Sequence, residues 1–160
     1  MNIFVTHPDP IISAKNLDDK RAIKMILETA QMLSTAIHVN VDPLLAPYKV
    51  THKNHPCSVW IRESNANYQW ALDHMVALCG EYTIRFGKIH ACERLIPIFK
   101  QNSTLMKSSD LTPFANCSRF KDIETILAYR LTMIAKWAED EEKKRKARWT
   151  KTVPPSWYTP

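Results

Sequence analysis

Apolar residues recur along this chain at helical spacing in several stretches. Between about Asn16 and His38, the residues Ile23, Ile26, Leu27, Ala30, Leu33 and Ile37 form one stripe, and Arg21, Lys24, Glu28, Gln31 and Thr35 occupy the other face. A second pattern runs from Pro56 to Gly87, with proline in the first turn and glycine just past the end. Its expected buried side is Trp60, Ser64, Tyr68, Ala71, Leu72, Met75, Leu78, Cys79, Tyr82 and Phe86, and Gly80 is expected to let another helix approach closely. A shorter helix is expected from His90 to Lys100. A last one is expected from about Asp122 to Arg148, with Ile123, Ile126, Leu127, Ile134, Trp137 and Ala138 inward. Past residue 138 the pattern turns to charge, Glu139-Asp140-Glu141-Glu142 and then Lys143, Lys144, Arg145 and Lys146. Acids before bases suit i,i+4 pairing and the helix dipole. Residues 1–15 read as an extended start and a Pro-rich turn, 39–57 and 101–118 as loops, and 153–160 as a non-helical tail. No linker divides the chain. The expected architecture is all-α: a single compact domain over 1–160, with three main helices, long loops and an extended C-terminal tail. The N-terminus should pack near the first helix, and the tail should fold back over the body.

Composition narrows the function. The chain has 160 residues, of which 45% are apolar and 24% charged, enough for a packed core. Two glycines alone, Gly80 and Gly87, argue against Gly-rich phosphate loops and against a hairpin-rich β fold. A net charge of +6 favours a polyanionic partner, nucleic acid first. Cys57, Cys79, Cys92 and Cys117 include no C-x-x-C pair, so reduced thiols in a cytoplasmic setting and no metal are expected. Met1-Asn2-Ile3-Phe4-Val5 is too short for a signal peptide, and no run of 18 apolar residues suggests a membrane span. A monomer without a cofactor is expected.

Three groups of residues carry candidate chemistry. Glu28 lies four residues after Lys24 and seven after Arg21. A carboxylate among cations can stabilise a cationic intermediate or move a proton, or it can simply form a surface ion pair. His52, Lys53, Asn54 and His55 stand before a helix start, where phosphates or base edges can be bound. A His-x-x-His metal site lacks an adjacent third ligand, and a plain capping loop is the other reading. Lys143, Lys144, Arg145 and Lys146, followed by Trp157 and Tyr158, combine backbone neutralisation with rings able to stack on bases. The same segment also reads as a solvated helix end with its tail packed on the body.

Taken in order, these pieces resemble the pyrimidine-dimer DNA glycosylase family, typified by the endonuclease V of T-even phages. The short apolar start, Asp19 with Glu28 nine residues on, Asn54-His55-Pro56 before the second long helix, and Pro155-Ser156-Trp157-Tyr158 near the end match the family's layout. The stretches from Asp19 to Gln31 and from Thr51 to Trp60 also look like phage proteins associated with it. The resemblance implies a glycosylase coupled to an abasic-site lyase. An N-terminal α-amine attacks C1′ of the damaged nucleotide, the base leaves, an imine joins protein to DNA, and a glutamate moves protons until β-elimination cuts the strand. An α-amine titrates near pH 8 in general, so a useful fraction is neutral at physiological pH. Carried over, Met1 supplies the amine, because Asn2 is bulky enough to keep Met1 in place, and Glu28 supplies the carboxylate. The family sets arginines beside its glutamate, whereas Leu27 and Gln31 stand there in this chain, and Arg21 and Lys24 are the expected substitutes. The implied substrate is double-stranded DNA with a damaged or modified pyrimidine. The competing expectations are a non-catalytic nucleic-acid-binding protein using the basic tail, and a base- or nucleotide-modifying enzyme built around His52, Asn54, His55 and Glu28.

Overall fold

A computed structural model of the chain describes residues 1–104, 107 and 109–159. Among these residues the structure is all-helical, with no strand. Six α-helices follow in order: α1 (Pro10–Lys15), α2 (Asp19–Asn40), α3 (Pro56–Glu63), α4 (Asn65–Phe86), α5 (Ile96–Ser103) and α6 (Thr125–Glu142). Short 3-10 turns occupy Pro43–Leu45 and Ala91–Leu95. The three long helices are α2, α4 and α6.

The N-terminal turn does more than reverse the chain. Asp9 accepts from the amides of Ile11 and Ile12, and Pro10 occupies the first helical turn, so the Pro-rich segment opens α1. The helix expected over 56–87 is two helices. Ser64 adopts an extended backbone, and its side chain accepts from the Asn67 amide, so it ends α3 and caps α4. Gly87, at φ 66°, closes α4 in the left-handed conformation that glycine adopts without strain. Gly80 plays no packing role: a Cβ there would meet nothing within 4 Å.

α4 packs on α1, α2, α3 and α5, which puts the core between α2 and α4. Most residues expected on the inner side of 56–87 are buried, from Trp60 through Cys79, while Tyr82 and Phe86 are half-buried. On α2, Ile26, Ala30, Leu33 and Ile37 are buried, but Ile23 and Leu27 are exposed. α6 departs further. Its buried face is Ala128, Tyr129, Thr132, Met133, Trp137 and Asp140, whereas Leu127 is exposed and Ile123 lies outside the helix. Two large rings eight residues apart, Tyr129 and Trp137, set that face and turn the smaller aliphatics outward.

α6 also ends earlier than the charge pattern suggests. It stops at Glu142, so Lys143, Lys144, Arg145 and Lys146 are not helical, and Lys144 sits at φ 57°. Beyond them the tail folds back as expected. Trp157 stacks on Trp137 at 5.6 Å and 16°, and Tyr158 and Trp149 meet the same ring edge-on at 4.6 and 5.0 Å. Asp19 holds the tail with its carboxylate, which accepts from the Thr150 amide and hydroxyl, while its own amide donates to the Arg148 carbonyl. Of the expected loop 101–118, residues 101–103 belong to α5, and 105, 106 and 108 lie outside the described residues, as does Pro160 at the end of the tail.

Candidate functional site

The first five residues enter the body beside α2. Asn2 shapes that entry: its side-chain oxygen accepts from the amides of Ile3 and Phe4 at 2.8 and 3.0 Å, and its side-chain nitrogen donates to the Cys117 carbonyl. Phe4 is held at φ 52°, a conformation that costs a bulky residue energy and is sustained by its surroundings. Its ring stands edge-on to Tyr129 at 6.3 Å. The result is a sharply turned terminus whose first atom faces α2.

There the Met1 amine lies 3.6 Å from Glu28 Oε2. The Asn2 amide donates to the same oxygen at 2.9 Å, and Lys24 Nζ lies 3.2 Å from Oε1. The Met1 side chain is only 2% exposed and Glu28 13%. One helical turn separates Lys24 from Glu28, which is why both reach the same place.

These groups open onto a pocket of about 270 Å³ whose other walls include Thr132 and Lys136 of α6 and Cys117, Ser118 and Arg119 of the segment before it. The cations that sequence reasoning sought on α2 therefore come largely from elsewhere. Lys136 Nζ sits 6.0 Å from the centre of the Phe4 ring. Burial, then repulsion from Arg119 and Arg21, lowers its pKa. Arg119 forms a two-pronged ion pair with Glu139, and its amide donates to Thr132 Oγ1. Neither residue stood out in the sequence, because each gains its meaning only when α6 folds over the N-terminus.

His55 stands at the edge of this site. Its Nδ1 accepts from the Cys57 amide and so caps α3. Burial lowers its pKa first, the Met1 amine and His52 lower it further, and Glu28 opposes them. Behind it, the Cys57 and Cys117 sulfurs are 3.3 Å apart. As acceptor from the Cys57 thiol, Cys117 is drawn down to about 6, while the same contact and burial push Cys57 up. Tyr129 backs the pair: its hydroxyl donates to the Ala115 carbonyl and accepts from the Cys117 amide.

The remaining sequence candidates lie apart from the amine. His52, Lys53 and Asn54 are exposed in the loop before α3, where the Lys53 carbonyl accepts from Arg62 and the His52 ring bonds Thr51. Arg21, expected as a DNA-facing cation, is instead buried against Asp18 at 3.0 Å and Asp140 at 2.8 Å, because the acids on both sides hold its guanidinium inside. Trp157 and Tyr158, expected to stack on bases, pack on Trp137, Trp157 face to face and Tyr158 edge-on, and the Arg130 guanidinium lies 5.6 Å from the Trp157 ring. Lys143 through Lys146 are exposed, and Lys144, Arg145 and Lys146 help line a second hollow of about 280 Å³ beside Asp18, Asp19, Lys20 and Asp140. None of the described helices is long and apolar enough to cross a membrane.

The profile of the family described as Pyrimidine dimer DNA glycosylase matches residues 1–93, which carry Met1, Glu28 and the His55–Cys57 start of α3. No curated protein and no solved structure matches the chain. The family match covers more than half of the 160 residues and includes the helix and the terminus that meet at the pocket, and the chain accordingly belongs to the pyrimidine dimer DNA glycosylase family.

Proposed function

We propose that the protein is a DNA glycosylase with abasic-site lyase activity, acting on a damaged or modified pyrimidine in double-stranded DNA. The observation that carries this reading is the Met1 amine 3.6 Å from Glu28 at the wall of a cationic pocket. The amine attacks C1′ as the base leaves with the bonding pair and takes up a proton, and the sugar ring then opens at C1′–O4′, with a proton passing from the nitrogen to O4′, which gives an imine between protein and sugar. Glu28 stabilises the positive charge that develops there and shuttles the protons needed for β-elimination. Lys24, Arg119 and Lys136 supply the field that draws in the phosphates on either side of the target. The target nucleotide is expected to leave the base stack to reach the pocket, with the cost met by contacts to the distorted duplex. Lys143, Lys144, Arg145 and Lys146 are the exposed cations best suited to the flanking backbone.

The test is borohydride trapping. Untagged protein is incubated with a duplex holding one abasic site, reduced, and mapped by mass spectrometry. A covalent adduct on residue 1, lost when a leading extension blocks the amine, is the expected result. An adduct on Lys136 would move the nucleophile to that side chain. Tight DNA binding with no adduct would overturn the lyase reading and leave a binding protein on this scaffold.

A further inference from the structure

His55, Cys57 and Cys117 form the one group of three metal-ligating side chains of its kind among the described residues. We propose that these three bind one zinc-like divalent cation, which clips the segment before α6 onto the start of α3. The proposal stands on geometry and does not rest on the glycosylase reading.

The ligand atoms all lie within 4.8 Å of one another, and the two sulfurs are 3.3 Å apart. Zinc–sulfur and zinc–nitrogen bonds of about 2.3 and 2.0 Å in a tetrahedral site place ligand atoms roughly 3.5–3.8 Å apart. Closing the site takes relative shifts of up to roughly 1.3 Å and has His55 exchange its bond from the Cys57 amide for the ion. Two thiols and an imidazole are the donor set that borderline and soft divalent ions prefer over magnesium or calcium.

The thiols also have little competing employment. Besides Cys117, the fully buried Cys57 sulfur meets the Tyr129 hydroxyl and Asn2 Oδ1, both at 3.9 Å, and accepts from the Ile3 backbone. A disulfide would need the two sulfurs but has no use for the neighbouring ring. Binding is balanced by the loss of two thiol protons, so a dication and two thiolates leave no net charge in this buried place. Three protein ligands leave a fourth position for water.

The chain between the ligands explains what the ion would do. Cys57 and Cys117 are 60 residues apart, and Cys117 sits in a segment without helix or strand that also carries Ser118 and Arg119 to the pocket wall. Closing so long a loop removes many alternative placements of that wall.

Full-length protein, stripped with a chelator and reduced, would be titrated with zinc in competition with a chromophoric chelator, and with cobalt as a spectroscopic probe. One equivalent should bind, and cobalt should give a thiolate-to-metal absorption band. Cys57→Ser, Cys117→Ser and His55→Gln should each weaken binding by more than the roughly 10–100-fold typical of changes outside the ligand set. Cys92→Ala should leave it unchanged. Cys117 is only partly buried, so Cys117→Ser remains informative if the buried Cys57→Ser fails to fold by circular dichroism. Absence of the cobalt–thiolate band overturns the proposal, as does a band that survives Cys117→Ser. So does a protein that binds no metal but forms a Cys57–Cys117 crosslink in air, which would be a redox pair. None of these readouts is catalytic, so failure here leaves the proposed function standing on its own test.

Discussion

Glu28→Gln separates the proposed catalytic role of the carboxylate from its structural one. Glutamine retains an oxygen that can accept from the Asn2 amide, so the bond that positions the terminus survives. What goes is the charge. The Lys24 partner is 66% exposed, and such an i,i+4 pair contributes only about 0.3–0.5 kcal/mol. The amine pair is better shielded. At 3.6 Å and an effective dielectric near 20, its gross attraction is roughly 4–5 kcal/mol, most of which is returned as desolvation of the two charges. A net destabilisation of about 1–2 kcal/mol follows, which for a chain of this size lowers Tm by roughly 2–8 °C. Loss of a positioned proton-transfer group costs about 10²–10⁴-fold in turnover. Melting curves would be paired with single-turnover cleavage of a duplex bearing an abasic site, below the Tm of the variant, alongside a DNA-binding isotherm. The expected outcome is a folded protein of near-normal affinity and at least hundredfold slower strand cleavage. Cleavage within threefold of the parent would refute the role given to Glu28.

Three further expectations use other parts of the molecule. His74 is fully buried, with neither ring nitrogen bonded among the described residues, and burial lowers its pKa from 6.5 to about 3. Below pH 6.5 the unfolded chain gains a proton that the folded one refuses, so stability present above that pH is lost as pH falls toward 3, by about 2 kcal/mol at pH 5; His74→Leu should flatten the fall in Tm between pH 7 and 5. Trp137→Ala removes the ring against which Trp149, Trp157 and Tyr158 pack, together with its bond to Asp18, and should cost about 3–5 kcal/mol and open residues 143–159 to limited proteolysis. Replacing Lys143, Lys144, Arg145 and Lys146 with glutamine should weaken DNA binding and reduce its log–log salt slope by up to about 0.9 per lost phosphate contact; an unchanged slope would exclude this segment from the interface.

Local signals were legible where one element decides its own form. Periodicity located α2 and the body of α4, and the glycine after Phe86 marked a true helix end. Signals failed where a distant partner decides. Ser64 fits the pattern of an unbroken apolar face, yet its side chain is a better cap than a helix interior, so the helix divides there. The acid-then-base run after Ala138 suits a continuing helix, but Asp140 is drawn inward by Lys20 and Arg21 and the chain turns out of the helix three residues later. At the site, Met1, Glu28 and Lys24 come together through features visible in the first 28 residues. Arg119, Lys136 and Cys117 had no such local mark. The contact between Cys57 and Cys117 was likewise invisible, because no spacing of sequence neighbours marks two cysteines that meet only through the fold.

The stitching of residues 137–150 to the first turn of α2 has a consequence for synthesis. Asp18 finds the Trp137 indole, Arg21 finds Asp140, and Asp19 finds Thr150. During translation these acids and the buried arginine emerge more than a hundred residues before these three partners, while Asp18 and Arg21 already have each other and Arg85 arrives earlier to meet Asp19. A nascent chain that has docked α2 on α4 still holds the Asp18–Arg21 pair without its cover and lacks the pocket walls carried by α6. Completion of the fold and enclosure of the pocket are thereby coupled to emergence of residues 137–150, so a chain stalled before that point has Met1 and Glu28 but not the full enclosure around them.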